Sequence, residues 1–368
     1  MMNRILKDMR ATAYFLARPT LLFYLFPWLM TLLVLGTVAQ RYIGLFQSQK
    51  LFFGSFILWA GPLPLPGAYT TIGVIALGLC AKLLLKSPLR KHNAGIIIAH
   101  LSTLILLLGG LLTAVTREEG YMVLGAEDTS HKISDYHERE LVMLKDGKAL
   151  LHIPAADLHN GKEISSSELP FKLRIIRYCY NCRIEKRATP DNSMRGDAAR
   201  LELQPAPYDS EDAKNQTGAM VEVSGTAAMD GNYITSEGLA QQPEFVLGND
   251  KYGIVMQQEE RDLPFDIHLL KFTKTEYPGT EIASSYRAEV QVIDGALKWN
   301  TVIEMNQPLR YRGYTLYQSS FVDTEDKLLT VLAVVKNSGA IFPYIAITAI
   351  CIGLLLHLAI TFARRRKS

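Results

Sequence analysis

Long apolar runs at both ends of the chain enclose a polar middle. Each run is long enough for a helix to cross the hydrocarbon core of a bilayer, which takes about 20 residues. The polar middle falls between the third and the fourth run. The pattern predicts a membrane protein with four transmembrane α-helices and a large domain inserted between helices 3 and 4, and the runs cover about residues 21–39, 68–85, 94–115 and 340–363.

These runs divide the chain into three parts. We expect an N-terminal membrane part over residues 1–116, an inserted domain over 117–338, and a closing span with a basic tail over 339–368. The first run is too long for a signal peptide and has no convincing cleavage site, so it is interpreted as a retained helix. Residues 51–67 are apolar but broken by glycines and prolines, which is typical of a segment at the membrane interface.

The inserted domain has the alternation of β-strands rather than the period of helices. Aspartate–glycine pairs at residues 146–147, 230–231 and 294–295 predict hairpin turns of the type I′ kind. The domain is therefore predicted to be mostly β. Its strand-like segments are 172–180, 199–205, 220–225, 265–272, 286–293, 299–305 and 314–320.

Basic residues cluster at the membrane boundaries and predict the orientation of the helices. Lys and Arg are concentrated in residues 1–19, in the turn 86–93 and in the tail after residue 363, but sparse between residues 40 and 67. Because short cytoplasmic segments carry the excess of Lys and Arg, both termini are expected in the cytoplasm and the β domain outside it. The net charge of +3 gives no case for a nucleic-acid partner.

His100 interrupts the third apolar run. An ionisable side chain inside a membrane is rare and costly, so a ligand or proton-relay role competes with a neutral histidine that only packs between helices. His357 in the last run is expected at about the same depth, since each lies seven residues from its cytoplasmic boundary. Both are candidate haem ligands, although His357 is close enough to the boundary to contact water or headgroups.

Cys179 and Cys182 form a C-x-x-C in the β domain. Outside the cytoplasm the spacing allows a structural disulfide, two unpaired thiols or a redox pair. Strand-like sequence on both sides does not match the helix N-terminus that a thioredoxin-like site requires, and a direct bond needs a turn at residues 180–181. No second cysteine pair is present for zinc.

The remaining candidate chemistry is sparse. The histidines of the β domain have no metal-binding spacing and are expected to be solvated surface residues: His131, His137, His152, His159 and His268. No nucleotide-binding loop and no serine-hydrolase motif is present. No catalytic residue is assigned.

Several stretches resemble the ResB (CcsB) family of cytochrome c biogenesis proteins. The resemblance covers nearly the whole chain, and its most specific part is the block from Met305 to Ser320, because no general fold rule requires that order of residues. The other stretches are Gly36-Thr37 with Gln40, Ala99-His100-Leu101-Ser102 with Gly109-Gly110, Leu263-Pro264-Phe265, and Tyr277-Pro278-Gly279-Thr280.

This resemblance implies a subunit of a haem export and cytochrome c haem-attachment complex in a bacterial-type inner membrane, with the β domain periplasmic. It implies that His100 is an axial ligand to the iron of a transient haem b, and that the partners are a tryptophan-rich ResC/CcsA-type membrane protein, apocytochrome c and membrane lipids. The chain is then a haem-lyase subunit rather than an enzyme on its own. Two alternatives stay open: a thiol-disulfide oxidoreductase using Cys179 and Cys182, and a scaffold for a respiratory assembly partner that binds no haem.

Overall fold

The structure is a computed structural model that describes residues 2–88, 90–191, 193–226, 228–280, 283–323 and 327–366. Of residues 2–6 only the backbone is described, and Lys367 of the basic tail lies outside the described residues. The helices are α1 Met2–Leu16, α2 Leu22–Ser48, α3 Ala68–Lys86, α4 Ala94–Thr116 and α5 Phe342–Arg365.

The predicted fold class is confirmed. Among the described residues, four helical segments are long and apolar enough to cross a membrane, namely Pro19–Phe53, Ala68–Lys86, Lys91–Thr116 and Phe342–Arg365. The first is longer than expected: α2 continues past residue 39 to Ser48, with a break in helical geometry at Gly44. α1 is not among these spans, because it has only 15 residues and charged residues interrupt its apolar positions.

Glycines let α4 and α5 pack with their backbones in contact. A side chain at residue 95 would collide with the backbone of His357, and one at residue 109 would collide with Phe342. On α5, a Cβ at residue 353 would lie 2.9 Å from the amide nitrogen of Ala99. Gly95, Ser102 and Gly109 are the buried residues of α4, and their spacing of seven puts them on one face of the helix. That face of α4 is therefore the one that meets α5.

The segment predicted at the membrane interface, residues 51–67, forms a π-helical turn and a hairpin that fold back on α2 and α3. The ring of Phe53 occupies the space above Gly36, and the Trp28 indole donates a hydrogen bond of 2.9 Å to the carbonyl of Pro66. Near α3, the backbone amide of Tyr69 donates to the carbonyl of Ser55. These contacts bury Leu32 and Leu58 in a small apolar cluster.

Antiparallel strands make up most of the chain between α4 and α5, as predicted. All seven strand-like segments found in the sequence correspond to strands. The strands are β1 Ile57–Ala60, β2 Leu63–Pro66, β3 Glu118–Leu124, β4 Thr129–Lys145, β5 Lys148–Pro154, β6 Glu163–Ile164, β7 Lys172–Cys179, β8 Cys182–Lys186, β9 Leu201–Pro205, β10 Gly218–Ser224, β11 Gly231–Ser236, β12 Glu244–Leu247, β13 Asp250–Glu276, β14 Ala283–Asp294, β15 Leu297–Glu304, β16 Leu309–Tyr311, β17 Tyr314–Asp323 and β18 Leu328–Lys336.

The strands form a large sheet and a smaller one. The large sheet has the order β15-β14-β13-β4-β3-β18-β17-β16, with β12 added to β13 and β5 added to β4. The smaller sheet has the order β11-β10-β7-β6, and β8 pairs with β9. The main core of the β domain contains buried residues of both sheets, such as Leu141, Ile175 and Ile254, and an aromatic group of Phe171, Phe245 and Tyr252.

One of the three predicted type I′ turns is confirmed. Asp146 and Gly147 both have positive φ, 49° and 77°, as that turn requires. At the β14–β15 hairpin the central residues are Gly295 and Ala296, and of these only Gly295 has positive φ, which fits a type II′ turn instead. Asp230 and Gly231 do not form a two-residue turn, because β10 ends at Ser224 and β11 begins at Gly231, so this hairpin has a longer loop. Within it the Asp230 carboxylate accepts hydrogen bonds from the backbone amide and the hydroxyl of Thr226.

The block from Met305 to Ser320 has a local physical explanation. Arg312 and Gly313 join β16 to β17 and have φ values of 48° and 83°, which is the signature of a type I′ turn. Asn306 also has positive φ, at 66°, where asparagine is tolerated better than most residues.

The described chain divides into two compact units. One contains residues 1–118, 311–314 and 335–368, and the other contains residues 119–310 and 315–334. We refer to the first as the helical unit and to the second as the β domain.

Candidate functional site

A cavity of about 190 Å³ lies among the first four helices of the helical unit. The turn between α1 and α2 forms one side, the beginning of α2 and one face of α3 form the walls, and His100 and Thr103 of α4 complete it. The wall residues on α3 recur at helical spacing: Ile75, Gly78, Leu79 and Lys82. Most of the lining is apolar, and the described charged residues in it are Arg18 and Lys82.

His100 faces this cavity because of where it lies on α4. It is two residues before Ser102, which is about 200° around the helix from the face that meets α5. The imidazole Nδ1 is buried and has no hydrogen-bond partner among the described residues. A buried polar atom without a partner is unfavourable and calls for explanation. The imidazole thus has a ring nitrogen that no described residue engages, in largely apolar surroundings.

The neighbouring hydroxyl groups do not satisfy His100. Ser102 and Thr103 each donate to the carbonyl four residues earlier in their own helix, at 2.8 and 2.9 Å. Such bonds are ordinary for hydroxyl residues in helices, so neither hydroxyl group is assigned a role at the cavity.

His357 is not part of this cavity. Its backbone lies against Gly95, which is five residues, or about 7.5 Å along the axis, from His100. The two histidines are therefore not at the same depth, in contrast to the expectation from counting residues to each boundary. His357 also has a buried Nδ1 without a partner among the described residues. Its role as a ligand stays a prediction, but the structure does not place it in a shared pocket with His100.

Cys179 and Cys182 are joined by a disulfide, with 5.6 Å between their Cα atoms. Strand β7 ends at Cys179 and β8 begins at Cys182, so the chain turns at Tyr180 and Asn181, as a direct bond requires. The cysteines are 7% and 3% exposed, and they pack in a small core with Leu203, Met220 and Ile234. Thiol–disulfide exchange needs access to a sulfur, so this burial favours a structural bond over a redox pair.

The β domain also contains a buried polar cluster that the sequence did not predict. The Asp212 carboxylate accepts hydrogen bonds from His137 Nδ1 at 2.7 Å, from the Tyr180 hydroxyl at 2.8 Å and from the Tyr208 hydroxyl at 3.0 Å. The Arg139 guanidinium, only 2% exposed, lies 3.2 Å from Asp212 and 3.5 Å from Glu237. No local motif signals this cluster, because its residues are spread over about a hundred positions and converge only in the folded sheets.

The cluster changes the protonation of its members. Burial raises the pKa of Asp212, but the hydrogen bonds from His137, Tyr180 and Tyr208 and the charge of Arg139 outweigh it and lower that pKa below its ordinary value. Burial and the hydrogen bond to Asp212 raise the pKa of Tyr180 far above its ordinary value. At neutral pH the cluster therefore holds an ionised aspartate bonded to neutral tyrosines.

Most histidines of the β domain contact carboxylates rather than solvent alone. His131 lies 3.0 Å from Asp266, His152 lies 2.8 Å from Glu140, and His268 lies 3.5 Å from Glu127. His159, by contrast, is exposed and contacts the backbone carbonyl of Asp157. The expectation of solvated surface histidines therefore describes His159 better than His137 or His268. Among the described residues, no group of three or more His, Cys, Asp or Glu side chains is arranged to hold a metal ion.

These features define a class: an integral membrane protein with an apolar cavity around an unbonded histidine and a large antiparallel β domain between its last two spans. The chain belongs to the ResB-like family, whose family model matches residues 90–349, more than half of the chain and including His100. No curated protein matches the chain in a sequence comparison. Membership of this family fits a role in cytochrome c biogenesis in general.

Proposed function

We propose that this chain is the ResB-like subunit of a membrane complex that exports haem and attaches it to cytochrome c. Its part is to hold haem b within the membrane through His100 and to present apocytochrome c for ligation. The observation that carries the proposal is the buried, unbonded Nδ1 of His100 at an apolar cavity in a chain of this family.

The residues around the cavity fit haem in their chemistry, and a cavity of about 190 Å³ would hold part of the porphyrin. A porphyrin is a flat, largely apolar ring, and the walls contributed by Leu25, Phe26, Ile75 and Leu79 are apolar. A ring nitrogen of His100 would be the ligand atom, and among the described residues no hydrogen bond to Nδ1 ties up the imidazole. When bound, haem supplies the vinyl groups that are joined to cysteines of the cytochrome. The chain's own contribution is to hold and orient it and to exclude water.

A second subunit is needed to complete the site. His100 would supply one ligand to the iron of a bound haem, and His357 does not line the cavity from which a second could come. The apolar side chains of α4 that point away from α5 include Leu101 and Leu108, which stay exposed and suit contact with lipid or another membrane helix. With only three tryptophans, the chain has no tryptophan-rich segment of its own. We infer that a ResC/CcsA-type protein supplies that segment and the other axial ligand.

The β domain is proposed to position the apocytochrome on the periplasmic side of the inner membrane. The positive-inside rule supports this orientation, because it assigns the basic segments before α2, between α3 and α4, and after α5 to the cytoplasmic side of the membrane. Haem collected at His100 would then enter from the cytoplasmic half of the membrane. No acid, base or nucleophile is required of this chain, so it is proposed to act as a lyase subunit rather than as an enzyme on its own.

The proposal is tested in cells that depend on this chain and its ResC-type partner for cytochrome c. In such cells we expect His100→Ala to abolish covalent haem on c-type cytochromes, as detected by haem staining, while immunoblots show normal amounts of the chain. His159→Ala, which changes an exposed histidine of the β domain, is the matched control and should leave maturation intact. Normal maturation with His100→Ala would refute the proposed role and favour the scaffold alternative.

A further inference from the structure

We propose that Lys82 and Arg18 form an anion-binding site for the propionates of the haem that His100 holds. This inference rests on the proposed function and deepens it, because it assigns the recognition of haem's carboxylates to two residues outside the family-matched region. It also predicts how haem lies in the cavity, with its polar edge at the end where the two cations are.

Lys82 is placed to meet an anion. It lies on the same face of α3 as Ile75, Gly78 and Leu79, so it points toward the cavity rather than away from it. Among the described residues its ammonium group has no hydrogen-bond acceptor and no carboxylate partner, whereas Lys86, one turn later, donates to the carbonyl of Ala17 at 3.3 Å. An ammonium group in a half-buried, largely apolar wall is costly without a counter-charge.

Close packing of α1 on α3 brings the second cation to the cavity. A Cβ at residue 78 would lie 2.9 Å from the carbonyl oxygen of Leu16, so glycine at this position permits the approach. Arg18 follows two residues later and lines the cavity, with its guanidinium carbon 5.8 Å from the centre of the Phe15 ring. The bond between Lys86 and Ala17 fixes this turn beside the end of α3.

The cavity is polarised from one end to the other. Lys82 is four residues from the end of α3, and Arg18 precedes the start of α2, so both cations lie near the helix ends. Phe26 and Val74, each eight residues or about two turns further in, also line the cavity and are apolar. Haem has the same polarity, with two carboxylates on one edge and an apolar ring beyond them. An ion pair to Lys82, which is partly buried, is screened by salt less than a surface pair is, whereas Arg18 is exposed.

The test compares haem b with its dimethyl ester, which keeps the ring and iron but has no carboxylates. The full chain is co-purified with its ResC-type partner in nanodiscs of phosphatidylcholine, and each porphyrin is titrated with the Soret absorbance as readout. We expect Lys82→Met to weaken haem b binding about tenfold, as loss of one charge-assisted bond does, and to leave the ester unchanged. Adding Arg18→Met should weaken haem b further.

Matched variants separate charge from packing. Lys82→Arg keeps the charge and should restore binding, and Lys91→Met removes an exposed lysine that does not line the cavity and should have no effect. Equal affinity of the wild type for both porphyrins, or equal weakening of both by Lys82→Met, would overturn the inference. So would a Lys82→Met effect that appears only when phosphatidylglycerol is added to the nanodiscs, because the lysine would then bind a lipid phosphate.

The failure of this inference is distinguishable from failure of the proposed function. If the His100→Ala complex has the same Soret spectrum as the wild-type complex, or if the wild-type complex binds neither porphyrin, the proposed haem role fails. This inference then fails with it. If the spectrum depends on His100 but the ester binds as well as haem b, only the propionate site is refuted.

Discussion

The backbone nitrogen of His357 lies where the side chain of residue 95 would begin, so Gly95 and His357 fix the contact between α4 and α5. This contact has a functional consequence. It turns the face with Gly95, Ser102 and Gly109 toward α5 and leaves His100 facing α1, α2 and α3. The histidine is thus oriented by glycines, Gly95 and Gly109, that do not themselves line the cavity.

Two adjacent glycines test how tightly α4 and α5 pack. A Cβ at residue 109 would collide with the Cβ of Phe342, whereas a Cβ at residue 110 would meet nothing within 4 Å. We expect Gly109→Ala to lower the free energy of unfolding by roughly 1–3 kcal/mol through overpacking. Gly110→Ala should be neutral or raise it by up to about 1 kcal/mol, because alanine favours helix more than glycine does. The measurement is the denaturation midpoint of the full chain in detergent. Equal shifts of the midpoint by the two substitutions would contradict the close contact between α4 and α5 at Gly109.

The disulfide is predicted to stabilise the β domain without taking part in cytochrome maturation. Replacing both Cys179 and Cys182 by alanine should lower the free energy of unfolding by about 2 kcal/mol, the amount that loop entropy gives for so short a loop. Cytochrome c maturation in cells should persist at permissive temperature, since the sulfurs are buried. The opposite pattern, with maturation lost and the unfolding midpoint preserved, would support the oxidoreductase alternative.

The Asp212 cluster predicts a dependence of stability on pH at both ends of the range. The pKa of Asp212 is lower in the folded than in the unfolded chain, so its contribution is present above about pH 4, the unfolded value, and is lost as pH falls through the folded value. The pKa of Tyr180 is raised on folding, so its contribution is present below about pH 10 and is lost as pH rises further.

A substitution at Asp212 checks this account by near-ultraviolet circular dichroism of the tyrosines during denaturation at several pH values. Asp212→Asn should lower the free energy of unfolding at pH 7 by about 3 kcal/mol, because it leaves the buried Arg139 with only part of its counter-charge. It should also flatten the acid limb of the profile. Glu211→Gln, at the exposed neighbouring position paired with Lys214, should do neither. An unchanged acid limb in Asp212→Asn would refute the role of the cluster.

Patterns among neighbouring residues in the sequence predicted the helices and strands that are determined by those residues themselves. Apolar runs of spanning length identified the membrane helices, and alternation identified strands such as β7, β10 and β14. The pattern did not reveal α1, whose stability depends on packing against α3 near Gly78. It also did not give the length of β13, which continues through Pro264 because its partners change along its course from β12 and β4 to β14.

The candidate site was predicted only in part, because a local pattern reveals a single residue but not the neighbours that folding brings to it. His100 stood out because an ionisable residue in an apolar run is unusual. The cavity around it is built from three other helices, so no spacing in the sequence marks Arg18 or Lys82 as its neighbours. The depth of His357 was misjudged because residue counts to the basic boundaries ignore where glycines set the contact between the helices.

The most direct test of the central role of His100 is a spectrum with chemical rescue. The complex of the full chain with its ResC-type partner is purified with endogenous haem as wild type and as His100→Gly, with His357→Ala as the comparison, and haem content and the Soret band are recorded with and without added imidazole. We predict that His100→Gly loses haem or shifts its Soret band, that imidazole restores both, and that His357→Ala retains haem. Full haem content with an unshifted band in His100→Gly would contradict the account.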